Sequence, residues 1–204
     1  NKMRWTTDNM PDLTGKTIIV TGGNTGLGYE SVKAFAEKGA EVVLACRNFQ
    51  KGDEAKTKIL NGNVKGSITV LQLDLMDLDS ITAFANQFKQ QFQKLDVLLN
   101  NAGIMTTPYF KTNNGFEAQL GTNHLGHFAL TGLLFELIVK TPHSRVVNVS
   151  SIAHKSGKMN FDNLLFDEGK GYSPMKAYGQ SKLANLLFTY ELQRLFESKG
   201  VNNI

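Results

Sequence analysis

The chain has 204 residues, of which 41% are hydrophobic and 20% charged, with 19 Gly and only 4 Pro; this excludes a disordered or fibrous chain and suits one globular domain with a single core. The net charge is +4, but Lys and Arg are scattered without a block of like charge, so the excess reads as solvated surface with room for one phosphate site and no nucleic-acid partner. A single cysteine, Cys46, excludes an internal disulfide, and no run reaches the roughly 18 apolar residues of a membrane span.

The first stretch is polar and lacks a signal-peptide core, so the expectation is a cytoplasmic protein with an N-terminal extension over residues 1–12. Strand-like apolar runs then alternate with helix-length amphipathic stretches, the sequence form of repeated βαβ units. Thr17 to Thr21 is the first strand, closed by glycines. A helix is expected from Leu27 to Lys38, with Val32, Phe35 and Ala36 on one face and Gly39 as its stop. Glu41 to Ala45 is the second strand, Lys51 to Leu60 a charged outer helix, and Ile68 to Leu73 the third strand. Ser80 to Phe92 is a helix with Ile81, Phe84, Ala85 and Phe88 in phase. Leu95 to Leu99 is the fourth strand, Gly115 to Val139 a long helix packed on several sides, Arg145 to Val149 the fifth strand, and Ala177 to Ser198 the last helix. Val201 to Ile204 reads as the start of another strand. Strands apolar on both faces belong to parallel sheets covered on both sides, so the fold expected is α/β: a single-domain, doubly wound parallel sheet over residues 1–204.

Thr21-Gly22-Gly23-Asn24-Thr25-Gly26-Leu27-Gly28 falls between the first strand and the first helix. Glycines there let backbone approach a pyrophosphate while the helix N-terminus supplies free N–H groups. The spacing GxxxGxG differs from the usual GxGxxG, and its position between strand and helix carries the phosphate reading. A carboxylate normally follows about 20 residues on, to bind the adenosine ribose. Here Cys46, Arg47 and Asn48 occupy that place, with Lys51 one turn later. Arginine pairs with a 2′-phosphate, so NADP(H) is expected in preference to NAD(H). Cys46 itself, with apolar neighbours, reads as a packed residue.

Asp74, beside Leu75 at the end of the third strand, would hydrogen-bond an adenine amine or cap the next helix. Asn100-Asn101-Ala102-Gly103 closes the fourth strand at the same carboxyl edge, where ligands of doubly wound sheets sit. Tyr178 and Lys182 lie four residues apart, hence on one helix face. An unassisted phenol is a poor acid/base at neutral pH, and a neighbouring ammonium favours its phenolate. Ser150-Ser151, at the end of the fifth strand, offers a hydroxyl at the same edge. The four histidines, 124, 127, 143 and 154, lack matching carboxylates or thiolates at metal spacing, so no metal is expected; His124 and His127 read as packed or hydrogen-bonded within their helix.

Gly22/Gly26/Gly28, the Asn100 to Gly103 run, Asn123, Ser151 and Tyr178/Lys182 resemble, in order and type, the motifs of short-chain dehydrogenases/reductases. Ala45-Cys46-Arg47, Thr122 to Phe128, and Ala177-Tyr178 with Ser181 to Asn185 resemble its retinol dehydrogenase-like branch; protochlorophyllide reductases share part of this. The resemblance implies Tyr178 as acid/base, Lys182 on the nicotinamide ribose, Ser151 (rather than Ser150, which spacing cannot separate from it) on the substrate oxygen, and Asn123 holding a water on a proton path to Lys182. It implies cofactor contacts at Gly22, Asn24, Thr25, Gly26, Leu27, Gly28, Arg47, Asn48, Asp74, Leu75, Asn101, Ala102 and Gly103, and a homodimer or homotetramer through the two long helices.

Two departures stand out. Ser151 and Tyr178 are separated by 26 residues, more than in the simplest relatives. This insertion, residues 152–176, carries Phe161, Leu164, Leu165, Phe166 and Tyr172, either a pocket wall or a loop pinned by its own cluster. The chain also stops where relatives continue into a lid, so truncation at the C-terminal end is expected. The expected function is an NADP(H)-dependent oxidoreductase for an apolar carbonyl or alcohol, such as a retinal-like aldehyde. The alternatives are a non-catalytic NADP(H) sensor or scaffold and a protochlorophyllide reductase-like enzyme.

Overall fold

Successive side chains of a strand face opposite sides of its sheet, and β1 (Thr17–Thr21) is apolar on both. Ile18 and Val20 enter one core and Ile19 the other, all fully buried, in the computed structural model, which describes residues 5–201. The same alternation runs through β2 (Glu41–Cys46), β3 (Ser67–Gln72) and β4 (Val97–Asn100), whereas in β5 (Arg145–Asn148) Val146 packs on the core and Val147 is exposed. The five strands form one parallel sheet in the order β3-β2-β1-β4-β5. The chain moves outward from β1 in one direction, then returns to continue from β4 in the other. The switch point, between β1 and β4, is where such sheets open a crevice at their carboxyl ends.

Two helical layers cover the sheet. Val32 and Ala36 of α1 (Gly26–Glu37) and Ala55 and Ile59 of α2 (Phe49–Leu60) pack on Ile18, Val20, Val42 and Leu44. On the other face lie Ile81, Phe84 and Phe88 of α3 (Leu78–Gln91), Leu130, Leu134 and Ile138 of α5 (Gly126–Lys140), and Leu192 and Phe196 of α6 (Pro174–Ser198). The doubly wound α/β fold expected from the alternation is therefore present.

Boundaries differ from the sequence reading where capping chemistry intervenes. The fourth strand starts at Val97 rather than Leu95. Asp96, 4% exposed, turns inward to accept the Thr17 N–H at 2.9 Å and to pair with Lys16 at 3.1 Å and Lys94 at 3.2 Å. Burial pushes its carboxyl upward, but the Thr17 N–H and the two ammonium groups outweigh that and hold it below the ordinary value. The last helix begins one turn before Ala177, because Pro174 lacks an N–H that the first helical position would leave unpaired anyway.

The long middle helix is three pieces in succession: a short turn α4 (Ala118–Leu120), a π-helical turn (Gly121–Leu125) and α5. It cannot begin at Gly115, which sits at φ +83°. The buried carboxylate of Glu117 opens it instead, accepting the N–H groups of Gln119 at 2.8 Å and Leu120 at 2.7 Å. Of the strand expected at Val201 to Ile204, only Val201 is described, packed against the core; the rest lies outside the described residues.

The insertion is pinned by its own cluster. Tyr172 packs edge-on to Phe166 and Tyr109, with ring centroids 5.4 and 5.3 Å apart, and its hydroxyl donates to the Thr107 carbonyl at 2.7 Å. Phe166 is buried in a left-handed conformation (φ +54°), while Phe161 is solvent-exposed. Truncating the Glu117 cap exposes two orphaned N–H groups: Glu117→Ala is expected to lower stability by about 1–2 kcal/mol, read as a shift of the urea midpoint, with Glu117→Asp losing less.

Candidate active site

The carboxyl edge of the sheet carries a cleft of about 460 Å³. Gly22, Asn24 and Thr25 of the first turn line one end. Arg47, Asn48 and Lys51, after β2, line another side, and Asp74, Leu75 and Met76, after β3, complete it. Asn101, Ala102 and Gly103, after β4, form the floor where β1 and β4 part. Gly26 and Gly28 act behind this lining rather than on it. Gly22 and Gly26 adopt φ +65° and +56°, and a Cβ on Gly28 would stand 2.2 Å from the Gly22 carbonyl oxygen. Only glycines let α1 start this close to the turn, which leaves its N-terminal N–H groups facing the cleft edge.

Each cleft side chain is set by local chemistry. Asn48 caps α2, its Oδ1 accepting the Lys51 N–H at 3.0 Å. Asp74 does not cap α3. Its Oδ1 accepts the Met76 N–H at 2.9 Å, and Asp77 performs the capping through the Asp79 N–H at 2.9 Å. Arg47 is exposed, and its guanidinium makes no hydrogen bond or ion pair among the described residues. Cys46 is packed, as the sequence suggested: its thiol, pushed up by burial, donates to the Asn48 carbonyl at 3.2 Å, and Gly52 leaves it room. Thr122 also lines the cleft, and its hydroxyl is buried without a partner.

A second recess of about 280 Å³ continues the first, sharing Asn101, Gly103 and Ile104 with it. Leu27, Met105, Val149, Ser150, Ser151, Tyr178 and Lys182 complete its wall. Lys182 is 4% exposed, donates to the Val149 carbonyl at 3.1 Å and lies 5.7 Å from the Tyr178 ring centroid. Burial holds its ammonium below its ordinary pKa. Val149 also accepts the Asn185 amide at 3.2 Å, so one carbonyl aligns two residues of α6.

The structure separates the two serines that spacing could not. The Ser150 hydroxyl donates to the Lys182 main-chain carbonyl at 2.8 Å. The Ser151 Oγ accepts the Ala153 N–H at 3.2 Å, which leaves its own proton uncommitted. Asn123 is fully buried and does not line either recess. Its side chain donates to the Ile104 carbonyl (2.9 Å) and the Ser181 hydroxyl (3.0 Å) and accepts the Ile104 N–H (2.8 Å). It ties the segment after β4 to α6, next to Lys182.

Of the insertion's side chains, Phe161, Leu164, Leu165, Phe166 and Tyr172 line neither recess. The apolar rim comes from Leu27, Ile104 and Met105, and the insertion's first residue, Ile152, is exposed beside Ser151. Leu27 was expected on the cofactor side, and the structure sets it at the mouth of the second recess. Residues that sequence reasoning passed over include Thr21, Ile104, Met105 and Val149. Their signal was positional, at or just past the carboxyl end of a strand.

The short chain dehydrogenase model matches residues 16–163. The chain is 48% identical to human retinol dehydrogenase 11 and 47% identical to mouse retinol dehydrogenase 12, over 189 residues in each case, or 93% of this chain. It spans 59% of the length of these curated relatives. The solved structure of an uncharacterised protein from Mycobacterium paratuberculosis superposes with a TM-score of 0.85 at 45% identity, covering 96% of this chain and 68% of that one. The chain belongs to the short-chain dehydrogenase family. Within it, the retinol dehydrogenases above place it in their branch. No described helix is long and apolar enough to cross a membrane.

One buried and one half-buried histidine give this site a pH signature. Burial holds His124 below its ordinary value and His127 down to about 4, the latter also lowered by nearby Lys182 and His124. A base depressed on folding stabilises the native state fully above the unfolded value and loses that stabilisation as pH falls. Unfolding by urea should therefore become easier from pH 6.5 toward pH 4, by at most about 1.4 kcal/mol per unit for His127, and His127→Gln should flatten that limb.

Proposed function

We propose that this chain forms the cofactor-binding and acid/base part of an NADP(H)-dependent oxidoreductase that interconverts an apolar carbonyl compound, such as a retinal-like aldehyde, and its alcohol. The observation that carries this reading is the continuity of the two recesses: Ser151, Tyr178 and Lys182 face the end of the trough that starts at the glycine turn. The trough suits a dinucleotide: glycines whose Cβ atoms would clash, a buried unpaired Thr122 hydroxyl and an unpaired Arg47 all await a polar, elongated ligand. Gly22 to Thr25 with the α1 N-terminus would hold the pyrophosphate, Asp74 and Leu75 the adenine, Arg47 with Lys51 the 2′-phosphate. Asn101 to Gly103 would lie against the nicotinamide side.

The bound dinucleotide supplies or accepts the hydride. The chain's own residues handle the proton. In reduction the Tyr178 hydroxyl gives its proton to the carbonyl oxygen, and in oxidation its phenolate takes one from the alcohol. The Ser151 hydroxyl, with its proton uncommitted, donates to the same oxygen and fixes it. Lys182 uses one N–H on Val149, leaving two for a ribose hydroxyl and a water. Asn123 keeps the segment after β4 against α6, which preserves the spacing of these groups. Leu27, Met105 and Ile152 favour an apolar substrate, and the relatives named as retinol dehydrogenases support the same class. Exposed Phe128, Leu187 and Tyr190 on α5 and α6 support a homo-oligomer through that face.

In the full-length protein, following NADPH absorbance across a panel of carbonyls and alcohols tests the reading. Tyr178→Phe is expected to cut turnover by about 10²–10⁴-fold while leaving NADPH affinity in place; near-normal turnover sinks the mechanism, and silence of the wild type across the panel with NADPH still bound favours a binding-only role. Arg47→Asp is expected to reverse the cofactor preference, weakening NADPH by about tenfold or more while NADH holds. Equal affinities of wild type for both cofactors would overturn that assignment.

A further inference from the structure

His127 was expected only to pack or hydrogen-bond within its helix, yet both ring nitrogens reach groups that belong to the site. The Thr21 hydroxyl oxygen accepts the Asn101 and Ala102 N–H groups at 2.9 and 3.0 Å, which uses both of its lone pairs. Its proton then faces His127 Nε2 at 2.8 Å or the Leu99 carbonyl at 3.4 Å, and the shorter contact wins. Nε2 therefore carries a lone pair and Nδ1 the proton, which is donated to the Asn123 carbonyl at 3.0 Å. The opposite tautomer would set two lone pairs face to face at Asn123 and press a third donor onto the filled Thr21 oxygen. The ring is 2% exposed, and the charged or titratable groups acting on it are Lys182 from α6 and His124 from its own turn.

We propose that His127 is a positioning residue that joins the two halves of the site: through the Thr21 hydroxyl it fixes the Asn101–Ala102 backbone under the dinucleotide, and through the Asn123 carbonyl it fixes the proton-transfer side. Asn123 is thereby held at both ends, its side chain on Ile104 and Ser181 and its carbonyl on His127. Asn123 holds both the N–H and the carbonyl of Ile104, the residue after Gly103, so a small drift of Asn123 moves the cofactor floor. The second half of the proposal rests on the hydride-transfer reading given above; the first half does not.

Three variants of the full-length protein separate the two bonds. His127→Asn places a donor where Nδ1 stood and loses the acceptor for Thr21. His127→Gln reaches where Nε2 stood and loses the donor to Asn123. His127→Leu fills the volume and makes neither bond. NADPH affinity by fluorescence and kcat with KM are measured for each. The loss in His127→Asn should fall mainly on NADPH affinity, that in His127→Gln mainly on kcat, each by about tenfold, and His127→Leu should show both. Three variants that lose both quantities alike, or a His127→Leu protein like wild type, would overturn the proposal. If the wild type binds NADPH but turns over nothing, the hydride-transfer reading fails by itself, and the order of NADPH affinities still decides the Thr21 link. Nitrogen chemical shifts of the His127 ring in the cofactor-free protein give an independent check: a protonated Nε2 with a bare Nδ1 at neutral pH contradicts the proposal outright.

Discussion

The approach of α1 to the turn after β1 sets the terms for the rest of the molecule. Gly28 sits so close to the Gly22 carbonyl that no side chain fits between them. That contact brings the start of α1 down onto the carboxyl edge of the sheet, where its free N–H groups meet the crevice between β1 and β4. Everything else at this edge is arranged around the space so defined. Asn101 donates its side-chain amide to the Thr21 carbonyl at 2.9 Å, closing the turn against the end of β4. The Ile104 segment then meets Asn123, and Asn123 meets α6. A chain of short polar contacts thus runs from the glycine turn to the residues next to Tyr178 and Lys182.

Much of this could be read in advance, for physical reasons that differ from residue to residue. Strand and helix alternation was visible because strands buried on both faces are apolar throughout, as Ile18 to Val20 are. The cleft edge was visible because strand ends, glycines and helix starts coincide in one place only. Tyr178 and Lys182 were visible because four residues of helix place side chains on one face, and their 5.7 Å approach reflects that spacing.

What stayed hidden depended on which of two equivalent groups a local hydrogen bond claims. Ser150 and Ser151 differ only in that the first is tied to the Lys182 carbonyl and the second caps a 3₁₀ turn. Asp74 and Asp77 are equally good helix caps by sequence, and the Asn113 amide holds Asp77 in that role at 3.1 Å. The π turn at Gly121 to Leu125 left no compositional trace, yet it underlies the setting of Asn123. For the insertion the sequence left two readings open. Apolar residues in a loop near a site suggest a wall, but these aromatic side chains satisfy one another through Tyr109, Phe166 and Tyr172.

The two glycines that meet where the insertion leaves the site carry a further consequence. Gly157 stands against Gly179, the residue after Tyr178, so closely that a Cβ on Gly157 would lie 2.4 Å from the Gly179 carbonyl oxygen. Farther along, Gln180 holds the Leu164 carbonyl at 2.8 Å and the Asn160 N–H at 3.3 Å. The loop is thus stitched to α6 near its start and middle and anchored by Tyr172 near its end, while stretches such as Phe161 remain free at the surface. Sequence drift in those free stretches is mechanically insulated from the helix that carries Tyr178 and Lys182, so the outer face of the insertion can be remodelled without moving them.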